Sequence, residues 1–142
     1  MTSIDRSGAV RLASPNDSAA IEAVLREAFA EFEPLYTPEA FAATVPSAEQ
    51  ITKRWREGPV WVAVRGDRVV GTIGAVLKPE GLYVRSMALT PETRGFGVGR
   101  ALLEEVETWA MQHNAGRMFL STTPFLHRAI RLYERFGFVR MG

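Results

Sequence analysis

Apolar positions along this chain switch between two periods. Ile21, Val24, Leu25, Ala28, Phe29 and Phe32 recur at spacings of three and four, the stripe of an amphipathic helix. Ser14-Pro15-Asn16-Asp17 ahead of them reads as a turn with helix-capping residues, and Pro34 ends the helix. Before that turn, Ile4–Ala13 alternates loosely and predicts a strand around Val10-Arg11-Leu12. Thr37 caps a short helix with Pro38 at its first position. Ser47–Glu57 reads as another helix, with Ser47 and Gln50 as a capping box, and Gly58-Pro59 stops it. Val60–Val64 and Val69–Leu77 are rich in β-branched residues and flank Arg65-Gly66-Asp67-Arg68, which predicts an antiparallel hairpin. Lys78–Gly81 turns the chain into a strand over Leu82–Leu89. The helical period then returns at Val98, Leu102, Leu103, Val106, Trp109 and Ala110, with a stop at His113–Gly116. Met118–Ser121 predicts a short strand. A last helix opens at Pro124 or Phe125 and buries Ala129, Ile130, Leu132, Tyr133 and Phe136; Gly137 ends it, and Phe138–Met141 predicts a terminal strand.

Strand, helices, three strands, helix, strand, helix, strand is the order of a mixed α/β (α+β) fold, with a mostly antiparallel sheet and helices on its faces. At 142 residues, without a linker or repeat, the chain predicts a single domain over 1–142. No apolar stretch approaches the ~20 residues of a membrane helix. No cationic start precedes an apolar segment as in a secretory signal, so the expected location is cytoplasmic and no membrane partner is expected. The chain has no cysteine, which excludes disulfides, thiolate metal sites and a cysteine acyl-enzyme; with only His113 and His127, no metal is expected.

The net charge of +1 is unevenly spread. Residues 1–70 carry 8 basic and 10 acidic side chains, and residues 71–142 carry 9 and 6. After position 116, Arg117, Arg128, Arg131, Arg135 and Arg140 stand against one acid, Glu134. Arginine's fork suits phosphate, so a basic C-terminal half fits an anionic small ligand; a solvated helix face is the alternative reading. The near-neutral total and the lack of a lysine-rich tract argue against a nucleic-acid partner.

The most informative stretch is Arg94-Gly95-Phe96-Gly97-Val98-Gly99-Arg100, between a strand and a helix. Glycines let successive backbone N–H groups point inward, and a helix N-terminus adds its positive dipole end, which together suit phosphate or pyrophosphate. A glycine turn kept for packing alone is the competing reading. Arg100-Ala101 after Gly99 excludes the Lys-Ser/Thr of a P-loop, and Arg100 or Leu102 stands where a dinucleotide fingerprint needs its third glycine or alanine.

Arg94, Gly97 and Gly99 form Arg-x-x-Gly-x-Gly, which resembles the coenzyme A loop of the GNAT superfamily of N-acetyltransferases. Met87-Ala88-Leu89-Thr90-Pro91 is similar to that family's central strand and its exit. Leu132–Phe138 is similar to its final helix and the Gly-Phe after it. The resemblance covers about residues 60–142. It implies a central strand splayed from the next by a bulge, placed at Arg85-Ser86, with pantetheine in the wedge. It further implies that backbone groups of Met87, Ala88 and Leu89 meet pantetheine and the thioester of acetyl-CoA. The backbone N–H groups of Arg94, Gly95, Phe96, Gly97, Val98, Gly99 and Arg100 would hold the pyrophosphate. Tyr133 stands at the family's tyrosine position, where a phenol of pKa ~10 protonates the departing coenzyme A sulfur; a core tyrosine is the competing role.

The sequence departs from the family in two places. Leu126 occupies the position where the family often has asparagine, which leaves Thr122, Thr123 or His127 to make that cofactor contact. Tyr83-Val84-Arg85-Ser86 has no carboxylate where the family often has a basic glutamate, so the general base is unassigned among Glu31, Glu33 and Glu39. Arg85 is a candidate for holding an acceptor carboxylate, with pairing to an acid as the alternative. Glu33 is placed near the acceptor; Phe32, Tyr36 and Phe41 form one wall of an acceptor pocket or, in the competing reading, pack in the core; Trp55, Trp61 and Trp109 are core or interface residues. The implied activity is direct acetyl transfer to a primary amine of a small molecule, amino acid derivative or peptide. A regulatory module that binds acyl-CoA without turnover, and a nucleotide-binding domain, are the alternatives. The expected terminal strand offers an edge through which two copies would pair as a homodimer.

Overall fold

In a computed structural model, residues 9–141 are described. The expected alternation at positions 4–8 lies outside them. Strand β1 (Ala9–Leu12) is followed by helices α1 (Ser18–Phe29), α2 (Pro38–Thr44) and α3 (Ala48–Lys53). Strands β2 (Val60–Arg65), β3 (Arg68–Lys78) and β4 (Gly81–Leu89) come next, then α4 (Val98–Gln112), β5 (Met118–Phe119) and α5 (His127–Phe136). The five strands pair in chain order, antiparallel except for β4 with β5. The mixed, mostly antiparallel sheet read from the sequence is the one observed.

Alternation along β2 distributes its side chains to two cores. Trp61 and Ala63 join Leu102, Leu103 and Val106 of α4, where Trp61 meets Trp109 edge-on at 6.4 Å. Val62 joins Ile21, Val24 and Leu25 of α1 and Ile51 of α3 on the opposite face, with Trp55 packed against them. The caps form as the sequence predicts: Thr37 Oγ1 accepts from Ala40 N at 3.1 Å, and Ser47 and Gln50 bond reciprocally.

Asp17 fastens β1 to the start of α1. Its carboxylate accepts from both terminal nitrogens of Arg11, at 2.9 and 3.0 Å, and from Ser14 N at 2.8 Å. Arg11, opposed by partial burial, holds the Asp17 carboxyl below the usual range. That stabilisation is present above the unfolded carboxyl value of ~4 and is lost as pH falls through the lower folded value. Asp17→Asn is expected to cost about 1–3 kcal/mol at pH 7. In thermal melts, the gap to the parent protein should close as the pH drops below about 4.

Two expected elements are corrected. Phe138–Met141 forms no strand, so the edge on which a dimer was based is absent: Phe138 N bonds Tyr133 O at 3.0 Å and folds the chain back onto α5. The last helix opens at His127, not at Pro124 or Phe125. Leu126 N bonds Thr123 O at 3.1 Å, a turn with Pro124 at its second position, where proline's fixed φ belongs.

Candidate active site

The site begins with an irregularity in β4. Thr72 pairs with Ala88 and Gly74 with Arg85, so Ile73 faces two residues, Ser86 and Met87. This is a β-bulge, and Ser86 adopts φ +55°, a left-handed conformation rare outside glycine. The extra residue resets the alternation. Leu82 and Val84 before it, and Met87 and Leu89 after it, all pack toward α4, while Ala88 turns to α1. The strand also leaves its neighbour. β5 pairs only with Leu82 and Tyr83, so the rest of β4 has an unpaired edge on that side. The strand expected over Met118–Ser121 stops at Phe119 for this reason.

A cleft of about 1150 Å³ fills the wedge. Its floor is Met87, Ala88 and Leu89, one side is α5, and the glycine loop closes an end. Gly97 caps α4 at φ +82° and Gly95 lies at φ +90°; a Cβ on either would meet open space. Gly99 differs, because a Cβ there would approach Leu132 Cδ2 to 2.7 Å and Met87 Cε to 3.2 Å. Two of the glycines therefore serve backbone conformation and one serves close packing. Among the described residues, no acceptor engages the backbone N–H groups from Gly95 to Arg100; Ala101 is the first to bond back, to Gly97 O at 3.1 Å. Arg94 behaves differently from the expectation of a free N–H, since its N–H bonds Pro91 O at 3.3 Å. Its side chain donates to Glu31 at 2.9 Å and Ala28 O at 3.0 Å, tying the loop to the end of α1. Phe96 projects outward beneath the Arg65 guanidinium, and Val98 is buried in the core; neither side chain lines the cleft.

Tyr133 lines the cleft from α5. Gly137, at φ +125°, ends the helix and brings the Phe138 ring to 5.9 Å from Tyr133, which explains the Gly-Phe pair in positional terms. Burial pushes the phenol up to about 12, so it stays protonated at neutral pH. Thr122 and Thr123 also line the cleft, and Thr123 Oγ1 is buried with no hydrogen-bond partner.

Phe125 was not expected in the site. In its turn it meets Phe32 at 5.8 Å and Tyr36 at 5.1 Å, closing the side of the cleft built by the segment after α1. Tyr36 lines the cleft, whereas Glu33 lines a separate pocket of about 440 Å³ with Phe41. Glu39 is exposed at the start of α2. Arg85 lines the cleft and pairs with Glu57. The arginine-rich tail divides. Arg128, Arg131 and Arg135 line the cleft, Arg117 lies over Phe119, and Arg140 pairs with Glu134.

A sequence profile described as the acetyltransferase (GNAT) family matches residues 21–138. The chain belongs to this family. N-acetylaspartate synthetase of Danio rerio is 36% identical over 84 residues, 58% of this chain and 30% of that protein. Probable N-acetyltransferase family 8 member 5 of Mus musculus is 32% identical over 91 residues, 60% and 40% of the two chains. The chain thus spans less than half the length of these curated relatives. PaiA N-acetyltransferase of Thermoplasma acidophilum, solved in complex with coenzyme A, has a TM-score of 0.81 at 19% identity, covering 97% of this chain and 91% of that one. A GNAT family acetyltransferase of Brucella melitensis in complex with acetyl-CoA has a TM-score of 0.71 at 20% identity, covering 93% and 82%. These structures share the fold of this GNAT chain.

Acetyl-CoA fits the chemistry of the cleft. Unengaged N–H groups at a helix N-terminus suit its pyrophosphate, an unpaired strand edge suits its amide-bearing arm, and Thr123 Oγ1 lacks a partner. Among the described residues there is no group of three or more metal-ligating side chains, and no helix is long and apolar enough to cross a membrane.

Proposed function

We propose that this chain is an acetyl-CoA-dependent N-acetyltransferase that transfers the acetyl group directly to a primary amine of a small molecule, amino acid derivative or peptide. One observation carries the reading: a row of unengaged backbone N–H groups, an unpaired strand edge and a protonated tyrosine border one cleft. Bound there, acetyl-CoA supplies an acetyl group activated as a thioester. The loop N–H groups from Gly95 to Arg100 hold the pyrophosphate, and Arg100, Arg131 and Arg135 add positive charge to the same cleft. Backbone groups of Met87 and Leu89 align the arm along the wedge. The neutral amine nitrogen bonds to the acetyl carbon as the carbon–sulfur bond breaks, Tyr133 gives its phenolic proton to the sulfur, and the proton shed by the new amide nitrogen passes to solvent, from which the tyrosinate is reprotonated. Relatives named N-acetylaspartate synthetase favour an amino acid among the acceptor classes.

Among the described residues, Glu31 is the one carboxylate bordering the cleft, and Arg94 holds it. The acceptor therefore enters as the neutral amine. With the Tyr133 phenol at about 12, kcat/KM should rise with pH as the acceptor's own amine deprotonates and show no decline before about pH 10. Release of free thiol from acetyl-CoA, followed across a panel of amines, tests the function and this profile together. Acetyl-CoA binding with no turnover on any amine would favour a regulatory module.

A further inference from the structure

Besides the arginines of the glycine loop and α5, the cleft is lined by Arg85 and Arg54. Arg85 lies in β4 one residue before the bulge, roughly 13 Å along the strand from Leu89 at the rise of an extended chain. Arg54 lies in the turn just after α3. Both side chains line the cleft and both residues are half-buried. Glu57 accepts from Nη2 of Arg85, and no described acceptor meets its Nε or Nη1. The Arg54 guanidinium has no hydrogen-bond or ion-pair partner among the described residues, although Glu57 is near enough to feel it. Arg85 first, and Arg54 and Lys78 more weakly, hold the Glu57 carboxyl below the usual range against slight desolvation. Glu57 is half exposed, so this carboxylate is a weak brake on two guanidiniums.

An arginine that serves only the fold is normally paired or solvated, and a half-buried one beside a second cation is costly. Glu57 neutralises one of the two guanidiniums, and Lys78 adds further positive charge near it. The positive charge left over suits an anion. The guanidinium fork also has the geometry of a carboxylate.

We propose that Arg54 and Arg85 bind a carboxylate on the acceptor, so that the amines acetylated by this chain are amino acids or closely related amino carboxylates. The inference rests on the acetyltransferase reading above. Arg85 and Arg54 are the contacts, and Glu57 is a positioning residue that fixes the Arg85 fork at the cleft.

The test compares acids with their carboxamides, L-alanine against L-alaninamide and L-aspartate against L-asparagine, with rates taken per neutral amine. The parent protein, Arg85→Gln and Arg54→Gln are assayed for thiol release, titrated with acetyl-CoA and melted thermally. The parent is expected to prefer the acid at least tenfold in kcat/KM in one pair or both. Each variant should lower that acid-to-amide ratio at least fivefold; should one variant unfold, the other carries the result. Ratios near one in both pairs, or ratios unmoved in the folded variants, overturn the inference even where acetyl-CoA binds. A parent protein that does not bind acetyl-CoA overturns the acetyltransferase reading itself, and this inference with it.

Discussion

Tyr133→Phe is expected to lower kcat by about 10²–10³-fold, the usual worth of a positioned general acid. Acetyl-CoA affinity should stay within about twofold, because the ring, not the hydroxyl, makes the packing contacts. No described residue hydrogen-bonds the phenol, so removing its oxygen leaves no protein group unpaired, and the melting temperature should hold. This separates chemistry from structure. A core tyrosine would lose neither rate nor stability on becoming phenylalanine. An acid that must protonate a departing thiolate loses rate alone. Steady-state thiol release at saturating acetyl-CoA is the measurement, and an unchanged kcat would return Tyr133 to the core.

Gly97→Trp should raise the dissociation constant for acetyl-CoA by more than 100-fold. Gly97 lies at φ +82°, so any side chain there is strained by about 1–2 kcal/mol. That is a tolerable loss for the fold. The space above Gly97 is open and belongs to the cleft, so the indole has room in the apo protein and would occupy the proposed phosphate site. The variant should melt within several degrees of the parent while its KM for acetyl-CoA rises beyond the measurable range. Unaltered KM would mean that the loop is a turn without a ligand. Gly99 would not serve for this test, since a Cβ there strikes Leu132 and Met87 and disturbs how α4 and α5 meet.

The sequence pattern located every strand from β1 to β4 and all five helices, because those elements carry their own period, caps and turns. Several boundaries were not readable locally: β5 stops at Phe119, and α1 ends at Phe29, where a 3-10 turn holding Pro34 takes over. The last helix starts late because Pro124 satisfies a turn and Phe125 is engaged by Phe32 and Tyr36, more than 85 positions earlier in the chain. Phe138–Met141 has strand-forming residues, yet the backbone bonds to Tyr133 consume its start. The glycine loop and Tyr133 were readable because a motif places them on adjacent elements. The bulge site was also placed correctly to within a residue, at Ser86-Met87. The proposed acceptor side was readable only in part: the sequence pointed to Arg85, Tyr36 and Phe32, which line the cleft, but not to Arg54 or Phe125. Arg54 with Glu57, Arg85, and Phe125 come from three separate segments, and only the fold brings Arg54, Arg85 and Phe125 to one cleft. Charge counting flagged the arginine-rich tail, but it could not divide cleft-lining Arg128, Arg131 and Arg135 from Arg117 and Arg140, which serve local contacts.

The most direct measurement is a calorimetric titration of the folded, unmodified protein with acetyl-CoA, alongside ATP as a phosphate-bearing comparator. Saturable one-to-one binding of acetyl-CoA in the micromolar range, with ATP at least tenfold weaker, is the predicted result. No heat and no saturation with acetyl-CoA, or equal affinity for ATP, would contradict an acetyl-CoA site in this cleft and leave the glycine loop as a structural turn or a general anion site.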